Sequence, residues 1–152
     1  MAVAPISASL AGSVAVAAAA QWLGTPYSWG GGNLAGPTRG VAQGARTVGF
    51  DCSSLVQHAW NKAGVRLPRT ARPQYWAPGI RIQRMADLRP GDLMFFAYDT
   101  SDWDSIHHVA MSIGGDAMVH APRTGDVVKV ERRISASSYW APQFIGGLRP
   151  TG

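Results

Sequence analysis

Phe50-Asp51-Cys52-Ser53-Ser54-Leu55-Val56 is the point where a glycine-rich approach gives way to helical spacing. Leu55, Val56, Ala59, Trp60 and Ala63 follow the i, i+1, i+4, i+5, i+8 pattern of a buried helix face, and Gly64 ends it. Asp51 is a helix-capping residue type, which puts Cys52 at the first helical position, where backbone N–H groups lack an intrahelical partner. Those donors favour an anion, so the spacing predicts a thiol with a lowered pKa that can attack a carbonyl carbon. A lone cysteine is equally read as a small buried hydrophobe, and position alone leaves both readings open.

Outward from this segment, 152 residues with 46% apolar content and six tryptophans suit one domain, 1–152, with a core over about 17–148. A single cysteine allows no internal disulfide and leaves the redox compartment undetermined. The net charge of +5 suggests an anionic surrounding, but the arginines are scattered without a basic run or interleaved aromatics, which argues against a nucleic-acid reader. The first twenty residues are uncharged and alanine-rich, yet no positive n-region precedes them, so no export signal is read. Residues 11–23 read instead as a helix, too short for a membrane span of roughly 20 apolar residues.

Between Thr25 and Gly49 seven glycines mark a long loop, a candidate cleft wall in which Arg39 and Arg46 could meet ligand carboxylates or water. Thr70 is placed to cap a short helix carrying Pro73. Beyond it, Gly91–Ala97, Val109–Ile113, Ala117–Ala121 and Val127–Val130 read as strands of an antiparallel meander. Helices first and strands afterwards make an α+β fold with helices packed on a mostly antiparallel sheet.

Parity along Ile106–Ile113 separates Val109, Met111 and Ile113, with His107, from His108, Ala110 and Ser112. The second face, small apart from one imidazole, is where the nucleophile-bearing helix is expected. His108 is therefore the candidate base, His107 is expected at the strand edge or in solvent, and His120 is placed to orient His108. A metal site is the competing use of Cys and His, but no Cys-x-x-Cys or His-Glu-x-x-His pattern is present, and the carboxylates of Asp99, Asp102 and Asp104 lack calcium-loop spacing.

Taken together, these residues resemble the NlpC/P60 family of papain-like cell-wall cysteine peptidases, over about Ala17 to Leu148. Pro26-Tyr27-Ser28-Trp29-Gly30-Gly31, Phe50-Asp51-Cys52-Ser53, Leu67-Pro68-Arg69-Thr70, Arg89-Pro90-Gly91-Asp92-Leu93, His108-Val109-Ala110-Met111 and Val119-His120-Ala121 match its motifs in the family's order. The glycine-rich loop and alanine-rich first helix resemble actinobacterial members. Two features depart from the family: Ser54 replaces a usual glycine, where it could narrow the approach to the thiol, and the loop over 31–49 is long enough to cover the cleft.

The resemblance implies a peptidoglycan endopeptidase with Cys52 as nucleophile, His108 as base and His120 as the residue orienting it. The bond implied is D-glutamyl (or D-isoglutaminyl) to meso-diaminopimelate in stem peptides. Tyr27, Asp51 and Ser53 are implied as substrate-binding residues, with Tyr27 helping at the oxyanion. An extracellular, cell-wall or periplasmic place is also implied; no cofactor, no metal, no nucleic-acid partner, no membrane span and a monomer are expected. The competing readings are a wall-binding module without turnover, a basic nucleic-acid binder, and a cysteine hydrolase or acyltransferase for another amide or ester.

Overall fold

The computed structural model describes residues 8–152. The first seven residues of the alanine-rich stretch, and that part of the expected domain, lie outside the described residues. Helix α1 is Ala8–Ala20, three residues earlier than the spacing of 11–23 predicts. Gln21 to Gly24 form a turn, with Gly24 at φ +88°, and Trp22 leaves the helix to donate from Nε1 to His58 Nε2 at 3.0 Å. No described helix is long and apolar enough to cross a membrane.

Helix α2, Cys52–Lys62, starts where the cap residue places it. Asp51 is extended, and its Oδ1 accepts the N–H of Ser54 at 2.8 Å while Ser54 Oγ accepts the N–H of Asp51 at 3.0 Å. This reciprocal pair satisfies two donors at the helix start. Ser54 is fully buried and its hydroxyl also donates to Gly31 O at 2.7 Å. Ser54 therefore does not narrow the approach to the thiol; it ties the glycine-rich loop to the helix. A five-residue helix α3, Ala71–Tyr75, follows Thr70, whose side chain makes no cap bond.

The loop between α1 and α2 holds a small ribbon, β1 (Thr38–Arg39) against β2 (Val48–Gly49). Buried Ser28 fastens it by donating to Thr47 O at 2.7 Å. His58 donates from Nδ1 to Leu34 O at 2.8 Å, holding a further part of the loop on α2.

The main sheet contains β3 (Gly79–Ile82), β4 (Leu93–Ala97), β5 (Ile106–Gly114), β6 (Ala117–His120), β7 (Lys129–Arg132) and β8 (Phe144–Pro150). The order is β3-β8-β4-β5-β6-β7 with antiparallel neighbours throughout. Strands β3 and β8 were not legible in the sequence, and β7 begins two residues later than the strand that the apolar run predicts over 127–130.

The helices lie on the face made by Leu93, Phe95, Val109, Met111 and Val119, which share one core with Leu55, Val56, Ala59 and Trp60 of α2. The opposite face carries a second core of Met94, Phe96, Ala110, Met118, Ile134 and Trp140. This reverses the parity argument. The small-residue face of β5, with His108, is covered by Ile134 and Trp140 from the segment joining β7 to β8 rather than by the helix.

Candidate active site

The N-terminus of α2 and the first residues of β5 border a cleft of about 380 Å³ that Cys52 and His108 both line, with Tyr27 and Trp29 from the loop and Arg123 and Trp140 from the strand connections. A second cavity of about 360 Å³, near Met85, Met94, Ser112 and Asp116, has neither thiol nor imidazole among its lining residues.

His108 is 3% exposed and His120 is fully buried. Their rings meet with His108 Nε2 2.8 Å from His120 Nδ1, which leaves His108 Nδ1 outside that contact. The indole of Trp140 packs against both rings, 5.0 Å from His108 and 5.4 Å from His120 between centroids.

Behind them stands a residue that the sequence reading did not single out. Glu131 Oε1 lies 3.4 Å from His120 Nε2, and Glu131 Oε2 accepts from Trp140 Nε1 at 2.6 Å. Position 131 falls outside the strand expected over 127–130, and only the β6–β7 register, with His120 opposite Lys129 and Met118 opposite Glu131, brings it to His120.

Position at a helix start does not lower the Cys52 pKa here. Burial, then the charge of Asp51, push the thiol up to about 11, against backbone hydrogen bonding from Val109 and Ser53 and the charge of Arg69. Burial likewise drives His108 well below the usual imidazole range, helped by the charges of His120, His107 and Arg123. Burial thus favours the uncharged form of both groups.

Tyr27 is buried beside the thiol, and burial followed by the charges of Cys52 and Asp51 raises its pKa, so it remains a hydrogen-bond donor. Asp51 and Ser53 do not line the cleft. Asp51 pairs with Arg69 at 3.0 Å, and Arg69 Nη1 also donates to Ser53 Oγ at 3.0 Å, so both are engaged in building the helix start. Arg69 also donates to Gly31 O at 2.9 Å, locking that loop to α2. Arg39 and Arg46 are not among the cleft-lining residues. His107, half-exposed near the start of β5, is: it stacks on Tyr98 at 3.9 Å and meets Gln143 Oε1 through Nε2.

The buried imidazoles bear on stability. His58 and His108 are shifted down by burial, and His120 is shifted to about 4. An unfolded chain takes up protons at these residues near pH 6.5 while the folded one does not. The stability they contribute is therefore complete above about 6.5 and declines as pH falls toward the folded pKa values, by up to about 1.4 kcal/mol per pH unit per histidine. Thermal unfolding followed by circular dichroism should show Tm falling steadily from pH 7 to pH 5. A flat profile across that range would contradict the burial of neutral imidazoles.

Residues 24–149 match the model of the NlpC/P60 family. The peptidoglycan endopeptidase RipA of Mycolicibacterium smegmatis is 45% identical over 108 residues, which are 71% of this chain and 20% of that protein. The chain thus spans about a fifth of this relative's length. The structure of the peptidoglycan hydrolase RipB from Mycobacterium tuberculosis superposes with a TM-score of 0.82 at 33% identity, covering 99% of this chain and 69% of that one. RipD from the same organism, described as a non-catalytic NlpC/p60 domain protein adapted to peptidoglycan binding, superposes with a TM-score of 0.73 at 32% identity, covering 91% of this chain and 95% of that one.

Proposed function

This chain belongs to the NlpC/P60 family, and on that footing we propose that it is a cysteine peptidase of peptidoglycan stem peptides, acting as one catalytic domain. The carrying observation is a thiol at the start of α2 sharing a cleft with an imidazole that a second imidazole grips from behind. As Cys52 Sγ bonds to the scissile carbonyl carbon, its proton passes to His108 Nδ1. His108 then delivers that proton to the departing amine, leaving an acyl-enzyme that water hydrolyses. The N–H groups of the first turn of α2 and the Tyr27 hydroxyl are the donors for the oxyanion. Asp51 and Ser53 act on substrate through the shape and charge of the helix start that they build with Arg69.

The bond proposed is D-glutamyl (or D-isoglutaminyl) to meso-diaminopimelate, and the place of action is the cell wall or periplasm. RipD makes binding without turnover the second reading, because the same fold serves a non-catalytic relative. Mass spectrometry of disaccharide-tetrapeptides incubated with the purified protein distinguishes the two. The peptidase reading expects a disaccharide-dipeptide and a free diaminopimelate-bearing dipeptide. Intact substrate together with retention on isolated walls would favour binding alone.

A further inference from the structure

We propose that Glu131 is a positioning residue that selects the proton arrangement in which His108 can act as a base. Its effect on turnover rests on the peptidase reading above. One proton lies between His108 Nε2 and His120 Nδ1, 2.8 Å apart, and geometry alone permits two arrangements. In the first, His108 donates from Nε2, its Nδ1 is bare and can take the thiol proton, and His120 carries its own proton on Nε2. In the second, His120 donates from Nδ1, and His108 holds its proton on Nδ1, where it blocks transfer from sulfur. Because the third residue is itself an imidazole, something beyond it must break the tie.

Glu131 is placed to do so. His120 Nε2 is buried and has no hydrogen-bond partner among the described residues, but Glu131 Oε1 is 3.4 Å away. A carboxylate only accepts, so it attracts a protonated Nε2 and repels a bare one. The second arrangement would leave a bare, buried Nε2 facing a carboxylate oxygen 3.4 Å away.

The carboxylate is itself held. Trp140 Nε1 donates to Oε2 at 2.6 Å and Lys129 Nζ lies 3.6 Å from Oε1, while Lys129 is also anchored by Asp126 at 2.9 Å. The other charges acting on the imidazole pair are Arg123, from the turn after β6, and His107, next to His108 on β5. Neither replaces an acceptor at Nε2. When His108 takes the thiol proton, its Nε2–H still donates to His120, and the Glu131 carboxylate lies on the far side of that ring to compensate the new positive charge.

Glu131→Gln tests the assignment with little change of volume. The indole of Trp140 requires an acceptor, so the amide oxygen turns to it and the NH2 faces His120 Nε2, which favours the blocked arrangement. We expect kcat on muropeptides to drop on the order of a hundredfold or more with KM within about threefold, since misassigned protons remove general-base help. Glu131→Asp should recover a substantial part of the loss. Two readouts need no peptide substrate. Alkylation of Cys52 by iodoacetamide should slow in step, and 15N NMR should show the His120 proton moving from Nε2 to Nδ1. The assignment is overturned if the Gln variant stays within threefold of wild type in alkylation, or keeps the His120 proton on Nε2. If the wild type leaves muropeptides intact while both substrate-free readouts respond, the peptidase reading falls and the role of Glu131 stands.

Discussion

Alanine at position 52 is expected to lower amine release from muropeptides by on the order of 10⁴-fold or more, with folding intact. No other group in the cleft can take over the attack. Its hydroxyls belong to Tyr27, Tyr98, Thr124 and Tyr139, and the phenol of Tyr27 is held in its neutral form. Ser53 is adjacent in sequence, but it is buried and its hydroxyl is engaged by Asp51 and Arg69. Serine at position 52 should rescue very little. An imidazole whose basicity is depressed by burial needs an acidic partner, and a hydroxyl is far less acidic than even a thiol raised to about 11. Loss of one sulfur at the first position of α2 leaves the Asp51–Ser54 cap in place, so Tm should move by no more than a few degrees. Mass spectrometry of the digest decides the matter: cleavage by the alanine variant above a hundredth of the wild-type rate would remove the sulfur from the mechanism.

The parts of this fold legible in the sequence are those set by local physics. Helix α2 was visible because Asp51 caps it, five apolar residues repeat on one face and Gly64, at φ +87°, stops it. Strands β4, β5 and β6 showed through their apolar or alternating runs. Strand β8 did not, because Gly146 and Gly147 interrupt its pattern. Yet a Cβ at Gly147 would stand 2.8 Å from Leu93 O, so glycine is what allows β8 to lie against β4. Strand β3 exposes most of its residues and pairs with a segment more than sixty positions away, a partnership that no local window reveals.

The candidate site divides in the same way. Cys52, His108 and His120 were legible as residue types in a family order. The face of β5 that meets the helix was not, because alternation separates two faces without saying which one a helix covers. Glu131 depends on a strand register and was hidden for that reason. The thiol pKa departs from what a helix start predicts, because such a position favours the anion only as far as burial and a neighbouring carboxylate allow.

Asp92→Ala is the substitution expected to cost the most stability. Asp92 is 1% exposed, and its carboxylate accepts from Arg149 Nε at 2.9 Å, from Arg149 Nη2 at 2.8 Å and from the N–H of Arg89 at 2.7 Å. The three bonds join the turn before β4 to β8, the strand inserted between β3 and β4. In the sequence Asp92 stood only as part of a motif, Pro90-Gly91-Asp92-Leu93; in the fold it anchors the strand that sequence patterning missed. Alanine strands a mostly buried guanidinium and an amide without partners, a loss of about 3–5 kcal/mol for breaking one side of such a pair. For a chain of this length that is a fall in Tm on the order of 10 °C. Asparagine, which keeps one acceptor oxygen, should cost less. Replacing both partners, as in Asp92→Leu with Arg149→Met, should recover much of the loss, because the expense lies in the stranded charge rather than in the missing attraction. Urea unfolding of the four proteins separates these terms, and a cost below about 1 kcal/mol for Asp92→Ala would mean that Arg149 finds water or another acceptor. Asp92 does not line the cleft, so below its own Tm the alanine variant should cleave at the wild-type rate, dissociating the anchor of β8 from the chemistry at Cys52.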